Sequence, residues 1–273
     1  MRLKTQEIES QGMRLMRALR AQGMYIFTHE EAVTAANAAN VARSQLNSIL
    51  SNLVNTHFLL RLRRGLYAGM GSLPGEIQTH PFAIATKLVE PAAISHWSAL
   101  QLHGLTEQVP QIVTTSTPRK IYTPSMRLGA RVEKHGWNIE GVRYEYVQIK
   151  PEHFFGIESI WIDERFQVPV TDKERTVLDL FVFSRMFGGM GEAFSILEQA
   201  LPSLDIKKLV NYTLRYNKKF TIKRLGWALE SCGIALEELQ PLLEVPVNSY
   251  CSLDPNKAKM GIYHKRWMIQ ENI

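Results

Sequence analysis

Apolar positions recur at helical spacing three times in the first quarter of the chain, then change to the alternation of strands. Leu15, Met16, Ala18 and Leu19 mark a first helix over Glu7 to Gln22, with Arg14, Arg17 and Arg20 outside and Gly23 closing it. Thr28, followed three residues on by Glu31, forms a capping box that opens a second, short helix running to about Ala36. Asn37 to Asn40 supplies a turn. Leu46, Ile49, Leu50, Leu53 and Val54 then form one apolar stripe within the segment Asn40 to Asn55. Phe58 to Ala68 reads as two short strands turning at Arg64-Gly65, with Arg61 and Arg63 projecting from one side of the ribbon.

Beyond residue 70 the pattern is mixed. Gly69, Gly71, Pro74 and Gly75 predict a linker over 71–75. Helices are expected at His80 to Leu88 and at Ser95 to His103, the second capped by Ser95 and stopped by Gly104. Ile112 to Thr117, Ala130 to Lys134, Val142 to Ile149 and Phe166 to Pro169 read as strands. Thr171 and Glu174 predict a second capping box, and Val177, Leu178, Leu180 and Phe181 the buried stripe of its helix. Four further helices follow at about 191–201, 205–216, 221–232 and 235–243, broken by Pro202, Asn217 and Gly233. Ser249 to Ile269 reads as a pair of strands around the loop Asp254 to Gly261. The fold class expected is therefore α+β. A winged helix-turn-helix over 1–70 precedes a mixed domain over 76–273, with a sheet at 110–170, a helical part at 171–243 and terminal strands at 249–269. Strands and helices do not alternate as repeated βαβ units, which argues against a doubly wound nucleotide fold.

The third helix gives the N-terminal pattern its meaning. Opposite its apolar stripe stand Ser44, Asn47, Ser48 and Ser51, with Arg43 and Gln45 beside them and no acid. A solvated face ordinarily carries Lys and Glu; short hydrogen-bonding side chains instead let a helix approach base edges in a major groove. The ribbon behind it carries Arg61, Arg63 and Arg64, which would hold phosphates. The ordinary alternative is a helical core with a solvated basic strand. Charge distribution favours the DNA reading: the net charge is +6, and residues 1–70 hold nine Lys/Arg against four acids, leaving +1 for the rest.

Two segments outside this module, Ile94 to Leu105 (ISHWSALQLHGL) and Val170 to Asp179 (VTDKERTVLD), resemble the AbiEi family of antitoxins. A closing Gly261-Ile262-Tyr263 and Lys265-Arg266-Trp267 adds a weaker third likeness. The resemblance implies a bacterial transcriptional regulator of the type IV toxin–antitoxin kind. Its winged helix would bind inverted repeats of double-stranded DNA at its own promoter. Its antitoxin-like C-terminal domain would counteract a nucleotidyltransferase-like toxin encoded beside it, without a stable direct complex. The basic run Lys257, Lys259, Lys265 and Arg266 is looser than the family pattern. The DNA-binding residues expected are Arg43, Ser44, Gln45, Asn47, Ser48, Arg61, Arg63 and Arg64. No catalytic residue, cofactor or metal is expected.

Other chemistry finds little footing. His96 and His103 stand seven apart, where a metal pair would use i, i+4. Gly188-Gly189-Met190-Gly191 lacks the Lys-Ser/Thr ending of a phosphate loop. Arg175 and Asp179, four apart, suit an intrahelical ion pair. Asp163, Glu164 and Glu145, with Lys150 and Lys173, keep open a metal-dependent nuclease targeted by the same winged helix. A regulator without any toxin is the third reading. Cys232 and Cys251, the only cysteines, predict reduced thiols, and no stretch approaches a membrane span or an apolar signal core. A cytoplasmic protein is expected.

Overall fold

A computed structural model describes residues 10–69, 79–121 and 136–273. The expected linker at 71–75, the strand at Ala130 to Lys134 and the beginning of the first helix lie outside the described residues. The chain is mixed α/β, with ten α-helices among the described residues. It packs as two units: residues 1–90 with 161–167, and 91–160 with 168–273. The first unit thus extends beyond residue 70 to include a fourth helix.

In the first unit α1 (Gln11–Ala21), α2 (His29–Ala38) and α3 (Arg43–Asn55) precede the ribbon of β2 (Leu59–Arg63) and β3 (Leu66–Gly69). β1 (Ile26–Thr28) pairs antiparallel with β3, giving a three-stranded sheet ordered β1-β3-β2. The capping box forms as the sequence predicts. Thr28 Oγ1 accepts from Glu31 N–H, and the Glu31 carboxylate accepts from Thr28 N–H. α1 ends where expected, with Gly23 at φ +69° and Met24 N–H reaching back to Leu19 O at 2.9 Å. Leu15, Leu19, Ala32, Ala35, Leu46, Leu50 and Leu53 meet in one core. α4 (Pro81–Leu88) completes the helices of this unit.

The second unit is built around a six-stranded sheet ordered β6-β7-β5-β4-β9-β8. Its strands are β4 (Ala93–Ile94), β5 (Ile112–Thr117), β6 (Gly136–Ile139), β7 (Val142–Gln148), β8 (Ile157–Trp161) and β9 (Gln167–Thr171). β5 runs parallel to β7 and β4 parallel to β9, while β4–β5 and β6–β7 are antiparallel. α5 (His96–Leu102) follows β4. The helical part is α6 (Lys173–Val182), α7 (Met190–Ala200), α8 (Ile206–Tyr216), α9 (Lys219–Ser231) and α10 (Leu236–Leu243). The terminal segment holds three strands rather than two: β10 (Cys251–Ser252), β11 (Ile262–His264) and β12 (Ile269–Glu271). β12 lies between the others, parallel to β10 and antiparallel to β11. β10 and β11 flank the expected loop; the additional strand is β12, which the sequence pattern merges with β11 because three residues are too few to show a separate strand period.

Three local expectations change. The cap of α6 sits one residue later: Asp172, not Thr171, accepts from Arg175 N–H, and Glu174 instead accepts from Asp205 N–H. Ser95 stands at the cap position of α5, but its hydroxyl bonds His96 Nδ1 and Ser116 rather than the helix. Gly226 sits inside α9 because the buried Trp267 ring occupies the place of a side chain there; an added Cβ would lie 2.1 Å from it. Among the described residues no helix is long and apolar enough to cross a membrane.

Candidate nucleic-acid interface

α3 buries Leu46, Leu50 and Leu53 and leaves Arg43, Ser44, Gln45, Asn47 and Ser48 exposed. At 100° per residue Ser44, Asn47, Ser48 and Ser51 share one face, and Arg43 and Gln45 flank it on either side. Ala42 precedes the helix and offers no side-chain acceptor; Gln45 N–H donates to Ala42 O at 2.9 Å, and the N–H groups of Arg43 and Ser44 have no side-chain cap. That end can meet an anion through backbone donors.

Asn47 is not a free side chain. His29 Nε2 lies 2.8 Å from its Oδ1, and the His29 backbone N–H donates to Gly65 O at 2.9 Å. One residue at the start of α2 therefore binds both the polar face of α3 and the turn of the ribbon. With Oδ1 held by His29, the amide NH2 of Asn47 is the group left to donate outward. His29 was not among the residues picked out by sequence. Its partners stand 18 and 36 positions away, and no local pattern signals such contacts.

The ribbon keeps the expected alternation of exposure, with Arg61 and Arg63 exposed and Leu62 buried between them, but its register shifts. Its pairs are Leu60 with Ala68, Arg61 with Tyr67, and Arg63 with Leu66, so Leu62 is an extra residue. Arg63 Nε donates to Leu88 O at 3.2 Å, at the end of α4, a carbonyl the helix itself leaves unpaired. Arg64 stays at the tip beside Gly65, whose φ of +74° makes the tight turn. Among the described residues Arg43, Arg61 and Arg64 are exposed and meet no carboxylate.

The remaining candidates are occupied elsewhere. His96 is fully buried, its imidazole bonded to Ser95 and stacked on Phe187 at 5.5 Å. Burial holds its pKa down to about 4. His103 bonds Thr171 O at 2.7 Å. Asp163 turns its carboxylate onto Arg165 and Phe166 N–H, and Glu145 pairs with Arg143 at 2.9 Å. Arg175 and Asp179 form the predicted ion pair, Nε to Oδ1 at 3.1 Å.

Together these features define a mixed α/β chain whose first unit presents one acid-free helix face and a basic ribbon. No protein-family model matches the sequence, and no curated protein is similar to it. Among solved structures, the crystal structure of the RV2827C protein from Mycobacterium tuberculosis is similar in fold. The TM-score is 0.67 at 14% identity, over 96% of this chain and 92% of that one. At that identity the likeness concerns the fold alone.

Proposed function

We propose that the first unit is a winged helix-turn-helix and that the protein is a sequence-specific, DNA-binding regulator of its own promoter. α3 is the reading helix and the β2–β3 ribbon is the wing. The observation that carries this is the His29 junction, which ties the uncharged polar face of α3 to the turn bearing Arg64. A helix face and a wing held in fixed relation suit simultaneous contact with a groove and its flanking phosphates. Ser44, Asn47 and Ser48 contact bases; Arg43, Arg61, Arg64 and the first turn of α3 contact phosphates. Arg63 is reassigned to holding α4. The resemblance to AbiEi antitoxins in the Ile94–Leu105 and Val170–Asp179 segments supports the second part of the proposal. That part is neutralisation of a nucleotidyltransferase-like toxin encoded next to this chain, in a type IV system and without a stable complex.

The test is a gel shift on DNA from immediately upstream of the gene, with magnesium and with EDTA. A selective shift in both buffers is expected, and Arg61→Ala with Arg64→Ala should weaken binding to all sequences alike and reduce the salt slope by about two. No selective shift, or DNA cleavage only with magnesium, overturns the regulator reading. Growth rescue on co-expression with the neighbouring gene tests the antitoxin part separately.

A further inference from the structure

In the second unit a cavity of about 550 Å³ lies between the end of α6 and the start of α9. Phe183, Arg185, Lys218, Lys219, Phe220 and Arg224 are among its walls. Four of these are cations, and among the described residues no carboxylate lines the cavity. Lys208 of this unit meets Asp172 and Glu174, and Arg266 meets Glu230. The cations of this cavity form no such ion pair among the described residues; Asp179, which acts on Lys218 through its charge, is outside the lining and paired with Arg175. Lys218 rests over the rings of Phe183 and Tyr216 at 5.5 Å, while Arg185 and Arg224 use their Nε on Asn256 Oδ1 and Ser252 O. Asp254, which acts on Arg224 through its charge, is outside the lining and accepts from the N–H groups of Met190 and Asn256.

Lys218 and Lys219 occupy the cap and first position of α9, the positive end of the helix, where acids are favoured and cations repelled. Such a local conflict is expected where an anion completes the site. Phe220, 45% exposed, adds an open aromatic ring to the same wall. A ring beside phosphate-binding cations suits stacking of a planar base, and the volume lies in the range of small-ligand sites.

We propose that this cavity binds a nucleotide, with its phosphates on Lys218, Lys219, Arg185 and Arg224 and its base on Phe220. The site lies in the second unit and does not depend on the DNA reading. The test is calorimetric titration of the full chain with ATP, GTP, inorganic pyrophosphate and adenosine. A saturable one-to-one heat is expected for the triphosphates and none for adenosine. Lys218→Glu with Lys219→Glu should weaken triphosphate binding about tenfold or more. Lys219→Glu alone should melt no lower than the parent, because it relieves repulsion at the helix end without disturbing the Lys218 ring contacts, and it should also weaken triphosphate binding. Phe220→Ala should weaken triphosphates and leave pyrophosphate unchanged. Absence of saturable binding, triphosphate affinity unaltered by the charge reversal, or pyrophosphate binding as tightly as ATP each overturns the proposal.

Discussion

Helices α3 and α6 both carry polar side chains at helical spacing, and the protein uses them in opposite ways. Of the thirteen residues of α3 only Leu46, Leu50 and Leu53 are buried, and its serines and Asn47 face outward. Eight of the ten residues of α6 are buried, including Glu174, Arg175, Thr176 and Asp179. A charge so enclosed needs partners in every direction. Arg175 has most of them: Asp179, the carbonyls of His153 and Phe155, and the Phe155 and Tyr216 rings at 4.9 and 5.3 Å, while among the described residues its Nη2 and Asp179 Oδ2 are buried without a hydrogen-bond partner. Polar residues on α6 thus serve the core, and those on α3 are left exposed. A polar stripe is open to a partner only where no other element covers it.

The comparison breaks most sharply at Asp179. Asp179→Ala would leave Arg175 buried and unpaired, at a cost of about 3–5 kcal/mol in chemical denaturation. Ser48→Ala, on the exposed stripe, should stay within roughly 0.5 kcal/mol. Similar costs for the two would refute the contrast.

Next in size is an effect of pH. Burial keeps His96 neutral in the folded chain, its pKa lowered from 6.5 to about 4. The unfolded chain takes up this proton first as pH falls. The stability due to neutral His96 is therefore full above 6.5, declines between 6.5 and 4, and declines no further below. The span is about 3 kcal/mol. Asn suits the left-handed backbone of His96, at φ +56°, so His96→Asn should remove this part of the acid sensitivity in parallel denaturation curves.

On α3 the proposed function places the corresponding effects on DNA binding rather than folding. Asn47→Ala should reduce the preference for operator over scrambled DNA by about 1–3 kcal/mol in competition gel shifts. His29→Ala should act in the same direction and by less, since it frees Asn47 without removing it. If His29→Ala lowers affinity for all DNA equally, the junction does not position a reading residue. A small effect on folding is expected at Thr28→Ala, which removes the α2 cap at about 1 kcal/mol of stability while leaving the α3 face intact.

Local order was legible because its causes are local. A helix stripe repeats within two turns, a capping box closes over three residues, and Gly23, Gly65 and Gly104 take the positive φ that ends a helix or makes a turn. Those features place the elements, the exposed polar face of α3 and the Arg175–Asp179 pair at i, i+4. The ribbon and its alternating exposure were legible, but the register shift between Arg61 and Arg63 was not. Only tertiary packing decided that Arg63 holds Leu88, that His29 joins Asn47 to Gly65, and that parallel pairs β5–β7 and β4–β9 share one sheet. The physical reason is the same in each case. Periodicity along a chain says which residues share a face, whereas the partner of that face is set by contacts between residues far apart in sequence.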